Sequence, residues 1–369
     1  MKLTRIAPLG AVAVAAALVL AGCASNEGGG GSTPSDSASA APQLSGTLNG
    51  IGSSAQGTAQ TTWITGIQTT NSGLTINYDP QGSGAGRKSF ISGAADFAGS
   101  DAALKDTELS GTFALCADGT KAIDLPVYIS PIAIAYNVDG VSDLKLDADT
   151  IAKIFSGKIT KWNDPAITAL NSGASLPAAA ITVVHRSDDS GTTQNFTEYL
   201  SANAPSVWTA PASQTFPYQV GDAAKGTSGV AEAAKNAKTS IAYIDDSGIG
   251  DSGLKTAQLK VGDSFNTLSA AGAAAVVADS PLVSGRAAND LAIAINRKDT
   301  QANAWPLVLV SYIIACQQYK DAAKATLVSG YVQYIASDAA QQAAAKQAGS
   351  APLSSDLAQK VIAAAKTIK

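Results

Sequence analysis

The chain has 369 residues and a formal net charge of −4, from 25 lysines and arginines against 29 aspartates and glutamates. This length is enough for two domains of ordinary size. The acidic balance provides no basic field for a nucleic acid, so we expect no nucleic-acid partner. A small anion can still bind such a protein, because helix N-termini and other fixed local donors do not depend on net charge.

The N-terminal segment has the features of a lipoprotein signal peptide. Lys2 and Arg5 precede a short apolar stretch that ends in Leu20-Ala21-Gly22-Cys23. We expect residues 1–22 to be removed and Cys23 to carry lipid, since a membrane-spanning helix needs a longer apolar stretch. Residues 23–45 are mostly glycine, serine, proline and alanine, which predicts a flexible tether. The folded part is therefore expected to be held on the outer face of the cytoplasmic membrane.

Three strand-turn-helix units are predicted at the start of the folded region. Strands are expected at residues 46–50, 74–78 and 95–101, with glycine-rich turns after the first two. The first helix has Ala59, Trp63 and Ile67 on one face, the second is expected from Arg87, and Asp101 is expected to open a third. Three such units in a row predict an α/β fold with a mostly parallel sheet.

A second series of α/β elements follows a long apolar strand at residues 125–137, which Pro131 is expected to break. The predicted elements of this series are a helix at 149–155, strands at 181–185 and 240–244, and a helix at 192–200. The alanine-rich residues 270–278 are ambiguous. A strand at 305–316 and helices at 321–336 and 354–366 are expected to return to the first domain.

These elements predict two domains joined by a hinge of two segments. We expect domain I to comprise residues 46–130 plus 290–369, and domain II to comprise residues 131–289. In folds of this kind the ligand lies in the cleft between the domains. With Cys23 assigned to lipid, Cys116 and Cys316 remain as an even pair in an exported chain, which favours a disulfide over two buried thiols.

The segment from His185 to Thr193 predicts an anion site. Ser190, Gly191 and Thr192 open a helix, where free N–H groups and the helix dipole favour an oxyanion. Arg186 can offer two parallel hydrogen bonds, and Asp188 is close enough to orient it. From this segment alone, a capped helix with a surface ion pair is an equally good interpretation.

Two glycine-rich turns add further candidate donors. Ser54 and Ser83 supply hydroxyl groups beside backbone N–H groups at predicted helix starts, although each turn alone is also compatible with a simple helix cap. The first turn lacks the acidic residue of a dinucleotide fingerprint, and in the second Arg87 replaces a glycine that a Walker A loop requires.

Catalysis and metal binding are not expected from the residue pattern. His185 is the single histidine, no G-x-S-x-G motif is present, and cysteine and histidine pairs with metal-ligand spacing are missing. We therefore expect neither an enzyme, nor a metal, nor a cofactor. The alternatives are an exported phosphatase-like hydrolase that uses the same anion site, and a lipid-anchored surface adhesin.

The chain resembles the bacterial phosphate-binding lipoproteins of the phosphate-specific ABC importer, which have the two-domain periplasmic-binding-protein fold. The resemblance extends from about Gly46 to the C-terminus. Four segments carry it, with support from residues 154–162 and 304–306: residues 50–56, 82–88, 96–101 and 186–192.

The resemblance implies a monomer that binds inorganic phosphate and serves membrane permease subunits. It implies that Asp101 accepts the phosphate proton and that Arg186, oriented by Asp188, is the charged clamp. The remaining phosphate donors implied are Ser54, the Ala55 backbone, Ser83, Ser190, Gly191 and Thr192. The chain departs from the family where Ser54, Ala55 and Gln56 replace threonine, a large apolar residue and proline, which predicts thinner packing over the ligand.

Overall fold

The computed structural model describes residues Gln43–Lys369. A mixed sheet runs through the core of two lobes, which are called lobe I and lobe II below. The strands are β1 (Gly46–Gly52), β2 (Leu74–Asp79), β3 (Phe97–Ser100), β4 (Ala122–Asn137), β5 (Lys145–Leu146), β6 (Thr182–Arg186), β7 (Asp222–Ala224), β8 (Ser240–Asp245), β9 (Lys255–Thr256), β10 (Gln258–Val261), β11 (Ser264–Asn266) and β12 (Val308–Cys316). Within the described residues the main sheet has the order β2-β1-β3-β12-β4-β8-β6-β7, with β9 beside β4.

Helices cover this sheet. They are α1 (Gly57–Thr70), α2 (Ser83–Ser92), α3 (Asp106–Leu109), α4 (Ala148–Phe155), α5 (Pro165–Leu170), α6 (Gly191–Asn203), α7 (Gly226–Asn236), α8 (Ala270–Ala278), α9 (Ala322–Ile335), α10 (Asp338–Ala348) and α11 (Ser355–Lys366). In the part of the chain that the structure describes, none of them is both long and apolar enough to span a membrane.

Lobe I is built on β1, β2, β3 and β12. β1 pairs in parallel with both β2 and β3, as the strand-turn-helix units predict, whereas β12 is antiparallel to β3 and to the first part of β4. On α1 the residues Ala59, Trp63 and Ile67 are buried, which confirms the predicted apolar face. The buried face of this helix therefore fixes the glycine-rich turn at its N-terminus against the sheet.

Lobe II is built on the second part of β4 with β8, β6 and β7. β6 is parallel to β8 and β7, while β8 is antiparallel to β4. A separate sheet of β11, β10 and β5 flanks this lobe. The fold is thus the expected two-lobed α/β architecture, with a parallel set of strands in each lobe and antiparallel strands between them.

β4 joins the two lobes as one continuous strand, so the predicted break at Pro131 is wrong. It pairs with β12 up to Pro131 and with β8 from Ile132 onward. The proline lies where the strand changes partner, so its missing N–H does not interrupt either set of pairs. At the same point Trp305 Nε1 donates to Ile132 O at 3.1 Å.

Several element bounds differ from the sequence prediction. α2 begins at Ser83 rather than Arg87, because Gly82 takes a φ of 103° and turns the chain directly into the helix. Asp101 does not open a helix, since α3 starts only at Asp106. The ambiguous alanine-rich segment is helical as α8, and the helices α5, α7 and α10 were not predicted.

The covalent and N-terminal predictions have different outcomes. Cys116 and Cys316 form a disulfide across a sequence separation of 200, as predicted. The signal peptide, Cys23 and most of the tether lie outside the described residues. Leu44, within the predicted tether, is packed on the fold and its N–H donates to Asn71 Oδ1 at 2.8 Å. The predicted bounds of the two domains stay a prediction. Helix α8, which that prediction assigns to domain II, packs on β4 and β12.

Candidate functional site

Asp101 is the central acidic group of the candidate site. It follows β3, where lobe I meets lobe II, and it is buried. Its Oδ1 accepts hydrogen bonds from Ser53 and, at 2.5 Å, from Ser311, and Ser83 Oγ lies 3.3 Å from its Oδ2. Burial raises the pKa of Asp101, while the bonds from Ser311 and Ser53 and the charge of Arg186 act in the opposite direction.

Arg186 and Asp188 form the predicted pair. Arg186 Nε donates to Asp188 Oδ1 at 2.7 Å and Nη2 donates to Oδ2 at 2.5 Å, while Nη1 lies 3.4 Å from Thr192 Oγ1. Burial by itself would raise the pKa of Asp188, but the bonds and charge of Arg186 outweigh it and hold that pKa below its ordinary value. The guanidinium, itself buried, is thereby fixed in direction.

The N-terminus of α6 supplies backbone donors on the lobe II side. Ser190 is the N-cap, and its Oγ accepts from Thr193 N at 3.2 Å, while its own N–H donates to Gln214 O at 2.9 Å. The N–H groups of Gly191 and Thr192 lie in the first turn, where no intrahelical acceptor is available. A hydroxyl proton and two N–H groups are therefore free to bind an anion at this helix start.

The two lobes are in direct contact at Gly191. A Cβ built on Gly191 would lie 2.6 Å from Asp101 Cβ and 2.6 Å from Ser83 Oγ. Asn195 on the same helix donates from Nδ2 to Asp101 O at 2.7 Å. Nearby, Gly84 N donates to Asp189 O at 3.0 Å. These contacts place Ser83, Asp101 and the start of α6 in one cluster and show a closed arrangement of the lobes.

The first glycine-rich turn differs from its predicted arrangement. Ser54 Oγ turns across the cleft, where it accepts from Thr227 N at 3.1 Å and contacts Thr227 Oγ1 at 3.1 Å. The Ala55 N–H donates to Ser53 Oγ at 3.1 Å. It is Ser53, absent from the predicted set, that contacts Asp101. The ligand roles of Ser54 and Ala55 stay predictions.

A cavity of about 550 Å³ adjoins this turn on its outer side. Ser54, Tyr78, Lys225 and Thr227 are among the residues that line it. Ser54 thus lies between the buried cluster and this cavity, in a position to take part in closure as well as in binding.

His185 has a structural role in the described fold. Its ring stacks on Phe216 with centroids 4.1 Å apart, and Nδ1 lies 3.0 Å from Arg186 O. Among the described residues, no group of three or more histidine, cysteine, aspartate or glutamate side chains could hold a metal ion. The cluster combines one buried carboxylate acceptor, a guanidinium whose charge acts on it, hydroxyl groups and helix N–H groups. This combination suits a tetrahedral oxyanion that carries a proton.

Comparison with known proteins shows the family of the chain. A family model described as a PBP superfamily domain matches residues 37–339. The chain is 38% identical over 347 residues to Phosphate-binding protein PstS 3 of Mycobacterium tuberculosis (strain ATCC 25618 / H37Rv), covering 90% of this chain and 91% of that protein. It is 35% identical over 377 residues to Phosphate-binding protein PstS 2 of the same strain, covering 100% of each.

A solved structure shows the same fold. The X-ray crystal structure of a phosphate-binding protein from Stenotrophomonas maltophilia superposes with a TM-score of 0.66 at 20% identity, covering 86% of this chain and 94% of that chain. The fold, the family model and the extent of the matches to the mycobacterial proteins agree. The chain therefore belongs to the PBP superfamily, within the PstS family of phosphate-binding proteins.

Proposed function

We propose that this protein binds inorganic phosphate between its two lobes and delivers it to the permease of a phosphate-specific ABC importer. The observation that carries the proposal is Asp101, a buried acceptor that adjoins the N-terminus of α6 and interacts with the charge of Arg186. In this proposal Arg186 and the N–H groups of Gly191 and Thr192 bind phosphate oxygens from lobe II. Ser83 binds from lobe I, and Asp101 accepts the phosphate proton.

Closure of the lobes is the step that completes this site. Asp101 and Ser83 belong to lobe I, whereas Arg186 and Gly191 belong to lobe II, so neither lobe alone provides all the donors and the acceptor. The direct bonds between the lobes, such as Asn195 Nδ2 to Asp101 O, add to the stability of the closed state. Ligand binding then shifts the protein toward the closed state, because the complete donor set exists only there.

Asp101 gives the site its selectivity in this proposal. Phosphate carries at least one proton at neutral pH and can donate it to the carboxylate, whereas sulfate carries none. With sulfate bound, the carboxylate of Asp101 and a sulfate oxygen would face each other with no proton between them. They would repel and form no hydrogen bond, which discriminates strongly against sulfate.

Calorimetry with phosphate and with sulfate tests the proposal on the purified protein. We expect phosphate binding with a Kd of about 1 μM or tighter and negligible sulfate binding at pH 8. In Asp101→Asn the side-chain amide can donate to sulfate, so the preference for phosphate is expected to fall at least about 100-fold. Comparable affinity of the unchanged protein for the two anions would refute the assignment.

We further infer that the chain acts as a monomeric binding protein rather than as an enzyme, attached by lipid on Cys23 to the outer face of the cytoplasmic membrane. The lipobox at Cys23 supports the attachment. Cys23→Ser is expected to abolish the incorporation of labelled fatty acid into the protein. Turnover of a chromogenic phosphate ester by the purified protein would instead favour a hydrolase.

A further inference from the structure

A chain of buried polar side chains ends at Asp101. Tyr331 OH donates to Gln60 Oε1 at 2.7 Å, and Gln60 Nε2 donates to Gln56 Oε1 at 2.7 Å. Gln56 Nε2 lies 2.6 Å from Ser311 Oγ, which in turn lies 2.5 Å from Asp101 Oδ1. All five side chains belong to buried residues of lobe I.

The direction of the bonds near Asp101 is fixed by chemistry. Gln56 Nε2 also lies 3.0 Å from the backbone carbonyl of Tyr312, and a carbonyl can only accept. The atom at that position must therefore be the amide nitrogen, and it donates to Ser311 as well. Because Ser311 Oγ accepts from Gln56, its own proton is directed to Asp101 Oδ1.

Ser53 is fixed in the same way from the other side. Its Oγ accepts from the N–H groups of Ala55 at 3.1 Å and Gln56 at 3.3 Å, so its proton also goes to Asp101 Oδ1. Two hydroxyl donors therefore occupy one oxygen of the carboxylate. The other oxygen, Oδ2, has Ser83 at 3.3 Å and is the one left to accept from a ligand.

Ser311 is the one serine of β12, a strand that is otherwise apolar apart from a tyrosine hydroxyl. The pairing between β12 and β4 shifts register between Ser311 and Tyr312, opposite Tyr128 and Pro126, so the additional residue lies on β4. On its other side β12 pairs Tyr312 with Ser100, which brings Ser311 beside Asp101.

The other ionisable groups near Asp101 come from several elements. They are Arg186 on β6, Tyr78 on β2, Tyr128 on β4 and Asp245 on β8. Arg186 favours the charged carboxylate, and Asp245 disfavours it when ionised. Ser53, Gln56 and Ser311 belong to lobe I, so their effect on Asp101 does not require closure.

We propose that Gln56 and Ser311 are positioning residues that hold Asp101 as a charged acceptor and leave its Oδ2 for the proton of the ligand. This inference rests on the proposed phosphate function and deepens it. It assigns a role to Gln56, which stands where the resemblance implies proline. Without these donors Asp101 takes up a proton at higher pH, and a protonated Asp101 can donate to sulfate.

The test combines carboxyl-carbon NMR titration of Asp101 with calorimetry of phosphate and sulfate from pH 5 to pH 8. Asp101→Asn assigns the Asp101 signal. In Ser311→Ala we expect the Asp101 midpoint to rise by about one to two pH units, the worth of one hydrogen bond to a charged acceptor. Sulfate binding is expected to appear at a correspondingly higher pH than in the unchanged protein, while phosphate binding at pH 8 changes less than about ten-fold.

Two further variants complete the test. Ser240→Ala is the matched control, because Ser240 is also a buried strand serine but donates to Ala234 O at 2.6 Å, in lobe II. Gln56→Met removes the amide that directs Ser311 and serves as a second test if Ser311→Ala does not fold. It is expected to raise the Asp101 midpoint by a smaller amount.

The outcomes separate this inference from the proposed function. An Asp101 midpoint that is the same in the unchanged protein, Ser311→Ala and Gln56→Met overturns the positioning role. So does a rise of equal size in Ser240→Ala. Lack of phosphate binding by the unchanged protein at pH 8 would refute the proposed function, while the NMR midpoint would still decide how Asp101 is held.

Discussion

Gly191→Ala is expected to prevent full closure of the lobes. The added Cβ would lie 2.6 Å from Asp101 Cβ and 3.0 Å from Asp101 Cα, whereas carbon atoms in contact are about 3.5–4.0 Å apart. Relief requires a movement of about 1 Å. Such a movement stretches the 2.7 Å bond from Asn195 to Asp101 O beyond hydrogen-bond range and withdraws donors from the ligand. Loss of one to two charge-assisted bonds corresponds to about 2–4 kcal/mol, or about 30- to 1,000-fold weaker phosphate binding.

Calorimetry with phosphate measures this loss, and chemical unfolding without ligand checks that the fold is intact. Gly229→Ala is the matched control, because Gly229 also lies in a lobe II helix but a Cβ there would meet its nearest neighbours only at 3.9 Å. This control is expected to bind phosphate normally. Equal phosphate affinity in Gly191→Ala and Gly229→Ala, with both variants folded, would refute the proposed closure at Gly191.

Three further predictions concern charge, pH and covalent structure. Arg186→Ala is expected to weaken phosphate binding more than about 1,000-fold with an unchanged near-UV circular dichroism spectrum; retained affinity would remove Arg186 from the site. Burial raises the pKa of Asp245 to about 7, so the contribution of this carboxyl to the stability of the folded state falls as the pH rises from about 4 to about 7. Asp245→Asn removes this loss. Its free energy of unfolding in urea, relative to that of the unchanged protein, is expected to be about 2–4 kcal/mol higher at pH 8 than at pH 4. An equal difference at both pH values would contradict this. Replacing both Cys116 and Cys316 by serine is expected to lower the free energy of unfolding by at most about 5 kcal/mol and to change phosphate affinity less than about two-fold; a large loss of affinity in the folded variant would show that the disulfide shapes the cleft.

The parts of the site that are local in sequence were predictable. The pair of Arg186 and Asp188, and the cap at Ser190, lie within one turn and depend on contacts between near neighbours. The parts that depend on distant strands were not. Ser311 reaches Asp101 across 210 positions, and its only signal is a single serine in an apolar strand.

The two adjacent serines of the first turn show a different limit. In the structure Ser53 faces Asp101 and Ser54 faces Thr227. The composition of the turn does not decide which. The longer elements were largely predictable from periodicity, whereas the helices α5, α7 and α10 were missed. The sequence of α10 is almost entirely alanine and glutamine and carries little apolar contrast.

The continuous strand β4 also provides a natural optical probe. β4 changes partner at Ile132, whose carbonyl accepts the indole proton of the buried Trp305. Indole emission is sensitive to its hydrogen bond and to nearby water, so we expect a movement of the lobes at this point to alter the fluorescence of Trp305. Such a signal would report binding kinetics in the unlabelled protein, with Trp305→Phe as the variant that should lose it.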